Sequence, residues 1–347
     1  MMREGGHGRL ERMAPALTLL VAAPMFAEVL PGATRLSSIF VFPIEMAVWG
    51  GGALMARALV RSRGLGWWSL LFLGLALSFA EEFLIQQTSV APMVIRLKGE
   101  TWARAFGLNY VYLIWALVYE SAWVVLLPTL ATELMFPGRR DQPWLGRTGA
   151  IVAGIIFAIG SFLAWFTWTQ MARTKVFHQP PFVVPAPWAL VAVTAIIILV
   201  LAALRAPRRF TSRTLKPPLP SIVAVLGASW AVLWFALAVL AFGIAPHLPA
   251  VAVAIFALFI TLLLLFVVPL WLAHPGWGRR HDYALLAGAL AGSMAASFVG
   301  FIGPPTIDLW FKIIVDIAAL GWLAWLLRRT SGKIEGDAEA FASGLSR

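Results

Sequence analysis

PAVAVAIFALFITLLLLFVVPLWLA, residues 249–273, runs for 25 residues without one charged side chain. A bilayer's hydrocarbon core is about 30 Å thick, and roughly 20 apolar residues of helix cross it. In lipid every backbone N–H and C=O must bond within the protein, so only helices and closed barrels span. The run is continuously apolar and does not alternate, which selects a helix over a barrel strand.

Nine more such runs flank it. The spans read as 13–32, 38–57, 67–90, 108–135, 147–171, 185–204, 220–244, 249–273, 283–302 and 306–327. The whole chain agrees. Its 347 residues are 61% hydrophobic and 12% charged, and its mean hydropathy is +0.84. A soluble domain carries about 25% charged residues. The expected fold is therefore all-α, a polytopic membrane helix bundle of about ten spans. Residues 1–12 are expected to be a cytoplasmic tail, 13–332 a single bundle and 333–347 a disordered cytoplasmic tail.

The basic residues test the count. One set of loops and ends carries Arg3, Arg9, Arg12, Arg57, Arg61, Arg63, Arg139, Arg140 and Arg147. It continues with Arg205, Arg208, Arg209, Arg213, Lys216, Arg279, Arg280, Arg328, Arg329, Lys333 and Arg347. The alternate set holds Arg35, Arg96, Lys98, Arg104, Arg173 and Lys175, and the loops around Pro246 and Pro304 have none. That is 20 against 6, with Lys312 inside a span. An even number of spans with this bias puts both termini on the cytoplasmic side. The net charge of +11 is thus a topology signal, and no nucleic-acid partner is implied. Arg3, Arg9 and Arg12 ahead of Met13–Ala27 have the look of a signal peptide. No Ala-x-Ala site follows, so the segment reads as a retained first helix.

Cysteine is absent, which removes disulfides, thiolate metal sites and cysteine nucleophiles. His178, His247, His274 and His281 fall in loops or at helix ends, His7 falls in the tail, and no two have ligand spacing. No metal and no cofactor are expected. Trp67, Trp68, Trp102 and Trp188 fall near interfaces, as an aromatic belt does. Gly288, Gly292 and Ala296 recur every four residues and suit close helix packing. Spans 6 and 8 are almost purely apolar and read as lipid-facing.

Chemistry is carried by charges inside the spans. Each costs at least about 2.5 kcal/mol and marks a functional candidate. Glu28, Glu45, Glu81, Glu82, Glu120, Asp308, Lys312 and Asp316 all fall between the outer interface and the midplane. Glu133, near the inner end of span 4, can reach the interface and is set aside. The segregation predicts one outward-facing polar cavity lined by spans 1–4 and 10. Seven carboxylates there face only Lys312 and Arg35, an imbalance that is expensive at low dielectric. Some carboxyls must be protonated, solvated or neutralised by a bound cation. Ser78, Glu82 and Gln86 share one face of a regular helix, and Asp308, Lys312 and Asp316 share another. Pro24 and Pro31-Gly32 flank Glu28, and Pro43 and Gly50-Gly51-Gly52 flank Glu45. Such breakers either line binding cavities or let helices pack closely.

Glu81-Glu82-x-x-x-Gln86 resembles the first motif, Glu-Glu-x-x-x-Arg, of the CAAX-protease and bacteriocin-processing membrane family. The resemblance implies peptide hydrolysis by a glutamate-activated water. It covers about six residues. Gln86 stands in place of the arginine, the family's Phe-x-x-x-His has no match, and Glu120 stands where span 4 would supply a histidine. The stretch from Glu28 to Glu82 also resembles bacterial multipass proteins with a Glu-Glu helix, which implies a bacterial cytoplasmic (inner) membrane. Asp308-x-x-x-Lys312 superficially resembles the retinal-lysine helix of microbial rhodopsins, a family that ten spans do not suit.

The leading expectation is a transporter or permease, proton- or cation-coupled, with Glu28, Glu45, Glu81, Glu82, Gln86, Glu120, Asp308, Lys312 and Asp316 as its binding residues. Its partners are then the lipid bilayer and a small cation or cationic substrate. Two other readings stand beside it: a glutamate hydrolase of the CAAX-protease type, and a non-catalytic subunit whose charges face a membrane protein partner.

Overall fold

A computed structural model describes residues 4–92, 102–208, 211–241, 247–304 and 306–344, with side chains left undescribed for 4–10, 241 and 331–344. Arg3, Arg96, Lys98, Arg209, Arg347 and Pro246 lie outside the described residues, as do the side chains of Arg9 and Lys333.

The fold is an all-α bundle. Among the described residues, ten helices are long and apolar enough to cross a membrane. They are α1 Glu11–Val29, α2 Leu36–Ser62, α3 Trp67–Ile85, α4 Tyr110–Met135, α5 Arg147–Val176, α6 Ala186–Arg205, α7 Pro220–Leu240, α8 Ala250–Leu272, α9 Arg279–Phe301 and α10 Ile307–Thr330. The helical course of α1 begins at Glu4, and that of α10 runs on to Gly344 through the segment expected to be a disordered tail.

One small sheet interrupts the helices. Strands β1 (Arg104–Ala105) and β2 (Leu108–Asn109) pair antiparallel. Phe106 and Gly107 join them with φ of 54° and 81°, the left-handed pair that a tight two-residue hairpin needs. Asn109 then caps α4, its side chain accepting from Tyr112 N at 3.0 Å.

Glycine sets the closest helix contacts. A Cβ on Gly288 would lie 2.0 Å from the Ala224 carbonyl oxygen, and one on Gly292 would lie 2.4 Å from that of Ala228. The α7 and α9 backbones therefore touch, and packing in lipid is driven by such close fits. Gly50 plays the same part for α1 and α2, where a Cβ would come within 2.1 Å of the Leu20 oxygen. Pro24 has no N–H to offer that carbonyl, so the helix leaves it open to a close neighbour. The glycine run of α2 is thus a packing surface, with Gly51 and Gly52 against Phe157 and Leu77. In α6 and α8 the large side chains Leu190, Ile198, Leu262 and Phe266 are exposed on the outer surface, as lipid-facing helices present them.

Candidate functional site

The carboxyls of α1 to α4 gather in one layer. Glu45, Glu81 and Glu82 are 5%, 1% and 2% exposed, and Glu28 and Glu120 are half-buried. Glu28 lies within electrostatic reach of Glu45 and Glu81, and Glu120 within reach of Glu81, Glu82 and Glu28. Glu82 and Glu120 bond carboxyl to carboxyl. Two carboxyl groups can bond only when one of them holds a proton. Ser89 Oγ donates to the Glu82 Oε2 at 2.5 Å, and Thr34 Oγ1 donates to Glu45 Oε1.

Several oxygens in this layer have no partner among the described residues: both of Glu81, Oε2 of Glu120 and Oε2 of Glu45. None of the five glutamates forms a salt bridge among the described residues. Buried polar atoms are normally satisfied, and exceptions point to an unseen water, ion or ligand. No three Asp, Glu or His side chains among the described residues converge closely enough to hold a metal ion.

The helices are built unusually here. Each of the four contains a segment with i→i+5 hydrogen bonds: Met25–Val29, Met46–Gly50, Glu81–Ile85 and Glu120–Leu126. Two of these bonds are Leu30 N to Met25 O and Gln86 N to Glu81 O, both 2.9 Å. Wide turns of this kind occur mostly as single bulges, often at functional sites. The one at Glu81 turns both adjacent glutamates inward. A fifth wide segment, Phe166–Val176 in α5, carries no glutamate. Pro31 has no N–H to give the Ala27 carbonyl, and Tyr119 Oη donates to that carbonyl instead, at 2.5 Å. The buried hydroxyl thereby ties α4 to α1 beside Glu28.

The remaining expected site residues stand apart. Gln86 is half-buried, and no side-chain bond joins it to the glutamates among the described residues. Asp308 accepts from the Ser37 amide and hydroxyl, both at 2.9 Å, and so fastens α10 to the start of α2. Lys312 pairs with Asp316, donates to Met294 O at 3.4 Å and lies 4.6 Å over the Phe298 ring. The three residues expected to share one helix face are therefore a pair plus a separate anchor. Among the described residues no hydrogen bond or ion pair joins it to the glutamate layer. Arg35 donates to the Gly300 carbonyl at 2.9 Å and stacks 4.5 Å over Phe301.

At the opposite end of the bundle lies a cluster that the sequence reading passes over. Glu133 is 2% exposed and bonds Arg57 at 3.1 Å, Arg61 at 2.7 Å and Arg140 at 3.3 Å. Arg140 continues to Asp282 at 3.3 Å. Arg57 is itself 1% exposed, with Trp144 stacked 3.1 Å from its guanidinium carbon. The clamp joins α2, α4, the loop after α4 and α9.

No family model matches the chain, and no curated protein or solved structure matches it either.

Proposed function

We propose that the chain is a proton- or cation-coupled membrane carrier whose binding site is the glutamate layer of α1 to α4. One observation carries this reading: the paired carboxyls of Glu82 and Glu120 lie beside Glu81, whose two buried oxygens have no partner among the described residues. A layer of five acidic groups with no salt bridge to a base among the described residues is costly unless protons or a cation occupy it. Glu82 and Glu120 hold the exchangeable proton. Glu81, Glu28 and Glu45 receive a proton, a monovalent cation or an amine. The positive-inside bias of the sequence supports a reading in which the glutamates lie towards the outer face and the Glu133 clamp lies at the cytoplasmic face. The site loads from outside while the clamp holds the inner end closed.

Proteoliposomes with an entrapped pH dye test this against sodium, potassium and primary and quaternary amines. At least one cation is expected to drive proton movement, and Glu82→Gln and Glu120→Gln are each expected to abolish it. Wild type and both variants behaving like empty liposomes with every cation would overturn the proposal.

The bonded carboxyl pair also suits a general acid and base acting together, so a glutamate hydrolase with Glu81 or Glu82 as base is the second reading. It predicts a new peptide product from a membrane-embedded substrate, which the carrier does not make.

A further inference from the structure

At the arginine-rich end of the bundle, a cavity of about 310 Å³ opens between the α2–α3 turn, the loop after α4 and the segment after α6. Arg61, Arg140 and Arg208 line it, with Asp141, Leu65 and Trp67. Gly66 lets the walls meet, because a Cβ there would lie 2.3 Å from the Arg208 carbonyl oxygen.

Two of the three guanidiniums are held in place. Arg61 Nε and Nη2 donate to Glu133 at 3.1 and 2.7 Å. Arg140 reaches Glu133 and Asp282, both at 3.3 Å. A guanidinium has five N–H donors, so each keeps donors beyond these bonds. Arg208 is exposed and forms no salt bridge among the described residues. The cavity also sits at the membrane–water level. Arg61 lies in the last turn of α2, Trp67 opens α3 and Arg205 closes α6.

We propose that this cavity binds the headgroup of an anionic phospholipid bearing a hydroxyl, of the phosphatidylglycerol type. The guanidiniums hold the phosphate in the fork geometry that arginine favours. Trp67 and Leu65 cover the glycerol and the first methylenes. Asp141 sets the preference within the class. It disfavours a dianionic phosphate by repulsion and accepts a hydrogen bond from a headgroup hydroxyl. Basic pockets between spans recognise anionic headgroups in this way. The inference rests on the membrane-spanning fold and is independent of the glutamate layer.

Native mass spectrometry of the full chain tests it, with phosphatidylglycerol, phosphatidic acid and phosphatidylcholine of matched acyl chains. Wild type is expected to retain phosphatidylglycerol over both others. Arg208→Gln, which leaves the Glu133 clamp intact, is expected to weaken that binding about fivefold, the scale of one arginine near an anionic surface. Asp141→Asn is expected to narrow the gap between phosphatidylglycerol and phosphatidic acid. Equal retention of phosphatidylcholine, unchanged affinity in Arg208→Gln, or full displacement of the lipid by inorganic phosphate would each overturn the assignment.

Discussion

The carboxyl of Glu82 bonds the carboxyl of Glu120 where α3 meets α4, and Ser89 donates to the Glu82 side of the pair. A bond between the two requires a proton on one of them, the proton that the carrier reading makes exchangeable. In Glu120→Gln an amide N–H takes the place of the shared proton as donor. The fold is expected to keep its stability to within about 1 kcal/mol, the usual net worth of one hydrogen bond. Proton flux in proteoliposomes is expected to fall at least about tenfold. Infrared difference spectra check the cause, because the protonated-carboxyl band should vanish in the variant.

Glu133 holds three guanidiniums from a site 2% exposed. Removing one partner of a buried ion pair costs about 3–5 kcal/mol, and here it leaves the fully buried Arg57 without its carboxylate. Glu133→Gln is therefore expected to lower the thermal midpoint in detergent far more than Glu120→Gln does. A drop no larger than that of Glu120→Gln would mean that water already relaxes the cluster.

The glycine contact of α7 with α9 predicts an asymmetry. Ala is ordinarily better than Gly inside a helix by about 1 kcal/mol. Gly288→Ala places its Cβ on a backbone oxygen 2.0 Å away and is expected to destabilise by about 1–3 kcal/mol, as overpacking does. At Gly321 in α10 nothing lies within 4 Å of a Cβ, so Gly321→Ala is expected to be neutral or stabilising. Unfolding midpoints of the two variants, measured side by side, decide it.

Lys312 and Asp316 form a buried pair on α10. Lys312→Met alone strands a carboxylate, whereas Lys312→Met with Asp316→Leu removes both charges. The double variant is expected to regain most of the stability that the single one loses, as buried pairs replaced by apolar residues do. Its proton flux should match wild type if the pair only docks α10. Loss of flux with stability restored would bring α10 into the proposed transport site.

The ten spans were legible because about 20 apolar residues leave no alternative in lipid. The glutamates were legible because a charge at membrane depth is conspicuous. Their exact facing was not. A regular period of 3.6 residues puts Ser78, Glu82 and Gln86 on one face, but the i→i+5 bonds around Glu81 widen the turn there and bring Glu81 inward with Glu82. No residue type in the segment announces that turn. Lys312 and Asp316 pair at the spacing their positions suggest, whereas the partner of Asp308 is Ser37, 271 residues away. Arg57 reads as a loop charge because its partner, Glu133, is 76 residues distant. Only the tertiary fold shows that both are inside.

The wide turns have a mechanical meaning. Each adds a surplus residue to its helix: in α2 and α4 ordinary turns lie on both sides of it, whereas Met25–Val29 and Glu81–Ile85 are the last turns of α1 and α3. In α2 and α4, removing that residue would swing the helix beyond it by about 100°, the angle of one step at 3.6 residues per turn. Glu28, Glu81, Glu82 and Glu120 lie within such turns and Glu45 just ahead of one. The acidic layer thus coincides with a belt of wide turns, set within α2 and α4 and closing α1 and α3.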